Sequence, residues 1–154
     1  MSTPNTSTVG VSKTYTTLQA WENAADAQSG VDGHAAQWAE CYSGGDLGSM
    51  VLAGWTNPDS TDYPRIFAAD GEGHDGTDGV DNDVAYASAT GTHVIDIQEA
   101  FVRVENLKIE DKQGNKNCIK TVSPNCQVLG CLFVNSGSVS LGFNQGWAIE
   151  HVVT

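Results

Sequence analysis

The sequence predicts an all-β chain wound as a coiled β-solenoid, and three observations carry that reading. From residue 30 onward, short Val/Ile-rich runs alternate with Gly, Asn, Asp and Ser, which is a strand-and-turn signature. Two series of these runs recur together every 20–24 residues. Only one stretch has helical spacing.

Taken in order, residues 1–13 carry almost no apolar side chains and read as a flexible or partner-ordered arm. The helix follows. Thr16 with Gln19 three residues on has the pattern of a capping box, and Leu18, Trp21 and Ala25 share one face. The strand runs are then 37–42, 49–53, 65–69, 93–97, 101–109, 118–122, 127–134, 138–143 and 147–153. Within them Val104-Glu105-Asn106-Leu107-Lys108-Ile109 aligns with 128–133 and with 149–154, at offsets of 24 (128 − 104) and 21 (149 − 128). Ile95 and Ile97 align with Ile119 and Thr121, then with Val139 and Leu141.

The spacing also assigns faces. Val104 and Leu107 lie three apart, so a two-residue bend at Glu105-Asn106 must reset the alternation, and Asn106 and Gly130 tolerate such a bend. Val102, Val104, Leu107 and Ile109 then point inward, stacked on Cys126, Val128, Cys131 and Phe133. A meandering sandwich yields similar strands but does not require corresponding residues to recur at a near-constant offset.

With 154 residues, 40% apolar and 17% charged, the chain suits one domain with a buried core. Nineteen acidic against seven basic residues give a net charge of −12, the wrong sign for holding a phosphate backbone or an anionic membrane surface. No window is apolar enough to span a membrane, and the N-terminus lacks the apolar stretch of a secretory signal. Cys41, Cys118, Cys126 and Cys131 have no zinc-ligand spacing; they read as reduced and buried, the alternative being a disulfide among the last three. Cys118 is the one expected to be accessible.

Here the residues resemble a known group. Tyr15-Thr16-Thr17-Leu18-Gln19-Ala20-Trp21-Glu22-Asn23-Ala24, Cys41-Tyr42-Ser43-Gly44-Gly45, Ala53-Gly54-Trp55-Thr56 and Ala69-Asp70-Gly71-Glu72-Gly73-His74-Asp75-Gly76 are similar to the N-terminal regions of right-handed parallel β-helix proteins of the pectate-lyase-like superfamily, phage-encoded members in particular. The resemblance covers 15–154. It implies a right-handed parallel β-helix with an N-terminal capping α-helix, and it speaks to fold more than to activity. Because the last repeat runs to Thr154, the β-helix domain, 14–154, is expected to continue beyond it or to be covered by another chain.

Candidate chemistry is sparse. Residues 70–83 hold six acidic residues, one His and four glycines. Asp70, Glu72, Asp75 and Asp78 are the candidate Ca²⁺ ligands, weighed against a solvated insertion, since neither EF-hand nor calcium-solenoid spacing is present. Arg65 and Arg103 are the only arginines, and Arg103 beside Glu105 reads as a surface ion pair. Cys118 with His93 or His151 is a weak nucleophile–base pair, and Trp38, Trp55 and Trp147 would stack on sugars if exposed. No catalytic residue is assigned. The expectation is a structural virion-type protein, a phage fibre, spike or capsid decoration located in the virion. It would work as a rigid attachment module, partnered by its own copies or other virion subunits and by a surface glycan. The alternatives are a carbohydrate-active enzyme and a Ca²⁺-dependent glycan binder.

Overall fold

The computed structural model describes residues 4–27, 36–76, 84–90, 92–112, 117–134, 138–140 and 151–152. In chain order the elements are β1 (Asn5–Val9), α1 (Leu18–Asp26), β2 (Gln37–Cys41), β3 (Met50–Leu52), β4 (Arg65–Ala68), β5 (Tyr86–Ala89) and β6 (Ile95–Ile97). These are followed by β7 (Arg103–Glu105), β8 (Lys108–Asp111), β9 (Asn117–Thr121), β10 (Gln127–Leu129), β11 (Leu132–Val134), β12 (Ser138–Ser140) and β13 (His151–Val152). They form three sheets: β1-β2-β4-β7-β10 (sheet A), β13-β11-β8-β5 (sheet B) and β12-β9-β6-β3 (sheet C). Every neighbouring pair is parallel.

The expected right-handed parallel β-helix is corrected to this description: three small parallel sheets with one short helix. A near-constant period is not kept. In sheet A residues 5 and 37, 38 and 65, 65 and 103, and 103 and 127 face each other, steps of 32, 27, 38 and 24. In sheet C residues 50 and 95 face each other, a step of 45, before 95 and 119 restore 24. His151 pairs with Leu132, a step of 19, where the expected offset of 21 would have put Val153. The repeat was legible only between about residues 86 and 134. Segments inserted between the earlier strands dilute it, and periodicity reports which face is buried, not how a chain closes.

Within that stretch the assigned faces hold. Val104 pairs with Val128, and Val102, Val104, Leu107, Ile109, Cys126, Val128, Cys131 and Phe133 are all buried in one core shared by the three sheets. The bend is where it was expected. Asn106 and Gly130 both sit at φ 58°, a left-handed conformation that Asn and Gly accept most readily. Asn106 N–H donates to Leu129 O at 2.9 Å, tying the two bends together.

Elsewhere the structure departs from expectation. Asn5–Val9, part of the supposed arm, is a strand paired along its length with β2. Its Ser, Thr and Asn side chains hid it, because an edge strand needs few apolar residues. β5 (Tyr86–Ala89) was also missed, since Ala and Ser are weak strand formers although all four residues are buried. All four cysteines are free and buried, Cys118 included; its thiol reaches Ile109 O at 3.3 Å. Burial pushes the Cys131 thiol up to about 12 and the Cys41 thiol further.

Helix α1 is capped by Thr17, not Thr16: Thr17 Oγ1 accepts from Ala20 N–H at 3.2 Å. Gln19 is freed from capping and covers the edge of β3, accepting from Val51 N–H at 2.8 Å. Leu18, Trp21 and Ala25 are buried, with Trp21 tilted against Trp55 at 6.0 Å between ring centroids. No helix among the described residues is long and apolar enough to cross a membrane.

Asp46 clamps the loop before β3 onto β5. It accepts from Gly48 N–H at 2.9 Å, Ser88 N–H at 3.0 Å, the Ser88 hydroxyl and Lys112 Nζ at 3.1 Å. Burial pushes its carboxyl up, but the bonds from Ser88, Gly48 and Lys112 outweigh that and hold it below the ordinary range. Since the folded value lies below the unfolded one, this stabilisation is present above the unfolded pKa and is lost as pH falls through the folded one. Asp46→Asn is expected to flatten that acid limb of the stability curve, measured by denaturant melts across a pH series. At the bend, Asn106→Val is expected to destabilise by about 1–2 kcal/mol and Asn106→Gly to be tolerated, read from urea midpoints. Leu107→Ala, which opens the core, should cost about 2–5 kcal/mol.

Candidate functional site

Strand alternation sends every second residue of sheet A outward. Because the strands are parallel and in register, the outward residues line up in two rows. One row is Thr6–Trp38–Arg65–Arg103–Gln127, and the other is Thr8–Glu40–Phe67–Glu105–Leu129. The only two arginines of the chain are therefore direct neighbours on adjacent strands. Like charges in that position repel unless something neutralises them.

The two side chains are held by different devices. Arg65 Nη2 pairs with Glu105 Oε2 at 2.5 Å, and its guanidinium lies over the Phe67 ring at 4.2 Å and the Trp38 ring at 4.8 Å. Arg103 stacks on the Tyr63 ring at 4.0 Å and donates from Nη1 to Tyr63 Oη at 2.9 Å. The expected Arg103–Glu105 pair is thus replaced by Arg65–Glu105. Trp38 meets Tyr63 at 6.2 Å and stands edge-on to Phe67 at 6.2 Å, so three rings and two guanidiniums form one half-buried platform. The Trp38 indole N–H is buried without a partner among the described residues, so stacking is what holds the ring.

Sequence reading flagged Trp38, Arg65 and Arg103 one at a time. It missed that they meet, because residues 38, 65 and 103 become neighbours only through steps of 27 and 38. The pattern of outward polar and aromatic residues within each strand was the available signal.

The acidic stretch is organised differently. Asp70 and Asp75 are exposed, and Asp75 already has an interaction partner. Glu72 Oε2 accepts from Ser43 N–H at 2.9 Å; the Ser43 hydroxyl and N–H together hold its carboxyl below the ordinary range. Asp78 lies outside the described residues. His74 Nδ1 accepts from Gly76 N–H at 3.1 Å, so the proton sits on Nε2, which donates to Gly130 O at 2.5 Å. With Asp70 and Asn106 it lines a polar cavity of about 370 Å³. Among the described residues no three His, Cys, Asp or Glu side chains converge as a metal site. Trp55 is buried against α1, Trp147 lies outside the described residues, and the buried Cys118 presents no nucleophile.

No family model, curated protein or solved structure matches the chain.

A double-mutant cycle on Arg65→Ala and Glu105→Ala is expected to give a coupling of about 1 kcal/mol, since the pair is largely but not wholly withdrawn from water. Arg65→Lys should recover only part of the loss, because an ammonium lacks the planar face that stacks on Trp38 and Phe67.

Proposed function

We propose that the chain is a structural attachment module, of the kind a phage fibre, spike or capsid decoration uses, and that the outer face of sheet A is where it meets an anionic surface glycan. In that setting its partners are its own copies or other virion subunits. The observation that carries the reading is the pairing of Arg103 with Tyr63 beside the Trp38 ring.

The physical argument starts from charge. A chain of net charge −12 has placed its two arginines side by side, which concentrates positive potential in one spot. Arg65 is neutralised by Glu105. Arg103, among the described residues, faces no carboxylate within ion-pair distance, and one bond to Tyr63 Oη leaves most of its five N–H donors free. A planar guanidinium with spare donors suits a carboxylate or sulfate. The adjacent rings suit the C–H face of a pyranose. Rigidity supports the attachment role: Trp38, Arg65, Phe67 and Arg103 stand on neighbouring strands β2, β4 and β7 backed by one continuous core, and Tyr63 joins them from the loop entering β4.

The test is equilibrium binding of the full chain to uronate-containing and matched neutral oligosaccharides, with product analysis of the same mixtures. Binding to the acidic series is expected, weakened about tenfold or more by Arg103→Ala and also by Trp38→Ala, and diminishing with salt. Equal affinity for neutral and acidic chains, or binding indifferent to both substitutions, would remove this reading. Unsaturated products or new reducing ends would replace it with a carbohydrate-active enzyme.

A further inference from the structure

The outer face of sheet C carries a separate groove, of about 440 Å³, between β3, the approach to β6 and the side chain of Gln19 on α1. Two of its lining residues, Val51 on β3 and Asp96 on β6, face each other in register; Lys120 on β9 follows Asp96 in the same row, outside the groove's lining. The neighbours of this row, Met50, Leu52, Ile95, Ile97 and Ile119, are buried, so alternation presents Val51, Asp96 and Lys120 outward.

Two polar atoms of the groove's residues are left over. Asp96 Oδ2 takes long contacts from Gln98 Nε2 at 3.4 Å and Lys120 Nζ at 3.5 Å, but Asp96 Oδ1 is buried with no hydrogen-bond partner. His93 Nδ1 is in the same condition. Unpaired buried polar atoms are uncommon because each forfeits its hydration without return. Both belong to residues lining the same groove, whose rim adds the exposed hydroxyl-bearing residues Ser49 and Thr92.

The chemistry of the occupant follows from what surrounds those atoms. Asp96 is already paired with Lys120 Nζ at 3.5 Å, so the row's charges balance and a ligand of net charge gains little from it. A hydroxyl group suits the two unpartnered atoms, donating to Asp96 Oδ1 and either donating to or accepting from His93 Nδ1 as its tautomer requires. Val51, 44% exposed, supplies an apolar patch beside them. The volume lies at the lower end of small-molecule sites. We infer that this groove binds a small neutral polyhydroxyl molecule, a monosaccharide or cyclic polyol, with its hydroxyls held by Asp96 and His93 and a C–H face on Val51. The site is on a different sheet from the arginine platform and does not depend on that reading.

The experiment titrates the full chain with glucose, galactose, mannose and myo-inositol, and in parallel with glucuronate and glucosamine, following backbone amide shifts by NMR. Saturable shifts centred on β3 and β6 are expected for at least one neutral compound, with a Kd on the order of 1 mM. The charged analogues should bind more weakly. Asp96→Asn should weaken the neutral ligand about tenfold or more. Val51→Asp, at a position 44% exposed on the edge strand β3, should do the same, while Arg103→Ala should leave it unchanged. Absence of saturable shifts with all four neutral compounds would overturn the assignment. So would tighter binding of glucuronate or glucosamine, or binding that survives Val51→Asp and disappears with Arg103→Ala.

Discussion

Parallel register is the constraint on which the rest of this molecule depends. In sheet A, Ala39, Ile66, Val104 and Val128 lie in one inward row, each beside its counterpart on the next strand and all buried. A slip of one residue in the pairing of β7 would turn Val104 out to water and Arg103 into the core. The burial of Val104 and Ile66 therefore fixes, with no further instruction, that Arg65 and Arg103 are neighbours outside. The same logic in sheet C buries Ile95 and Ile119 and leaves Asp96 beside Lys120. Both outer faces are consequences of a core written in alternate residues.

The large acidic surplus has a structural use that composition alone does not reveal. Carboxylates repeatedly serve as hooks for backbone N–H groups in the loops between strands. Glu72 holds Ser43; Glu99 holds Gly54 and Trp55 at 2.6 and 3.2 Å; Glu22 holds Ala53 at 3.2 Å; Asp59 holds Thr61 and Asp62 at 2.6 and 2.8 Å. Loops joining separate sheets leave N–H groups that no ladder satisfies, and a carboxylate is the strongest acceptor available. Glu22 is the exception in its energetics. Burial pushes its carboxyl up, with Asp26 adding repulsion, so its contribution is fullest at low pH and declines as pH rises, opposite in sign to Asp46.

Legibility in the sequence followed the same division. Inward residues of 102–109 and 126–133 were readable because an apolar pattern interrupted by a bend leaves few solutions, and Asn106 and Gly130 marked that bend. β1 and β5 were not, because Asn5–Val9 is polar and Tyr86–Ala89 is built from small residues whose burial is decided by distant partners. The winding was over-read: a period measured on the middle of the chain does not extend to strands separated by 32, 38 or 45 residues. The arginine platform needed those long steps to be known, so its members were visible and its existence was not. The acidic stretch drew attention through density, yet Glu72 had a structural use with Ser43 that no spacing rule would have shown.

That contrast bears on what makes a surface chemically selective in such a chain. A carboxylate on a loop is free to turn toward the nearest N–H, and here most of those seen have done so. A side chain on a strand is held at a fixed height and spacing by the ladder beneath it and cannot relieve an unfavourable neighbour by moving away. Arg103 beside Arg65 and Asp96 beside Lys120 are therefore imposed adjacencies, whose electrostatic character persists because the core forbids the alternative. The proposed binding therefore rests on the outer faces of the sheets, while loop carboxylates such as Asp46, Asp59, Glu72 and Glu99 are committed to holding backbone N–H groups.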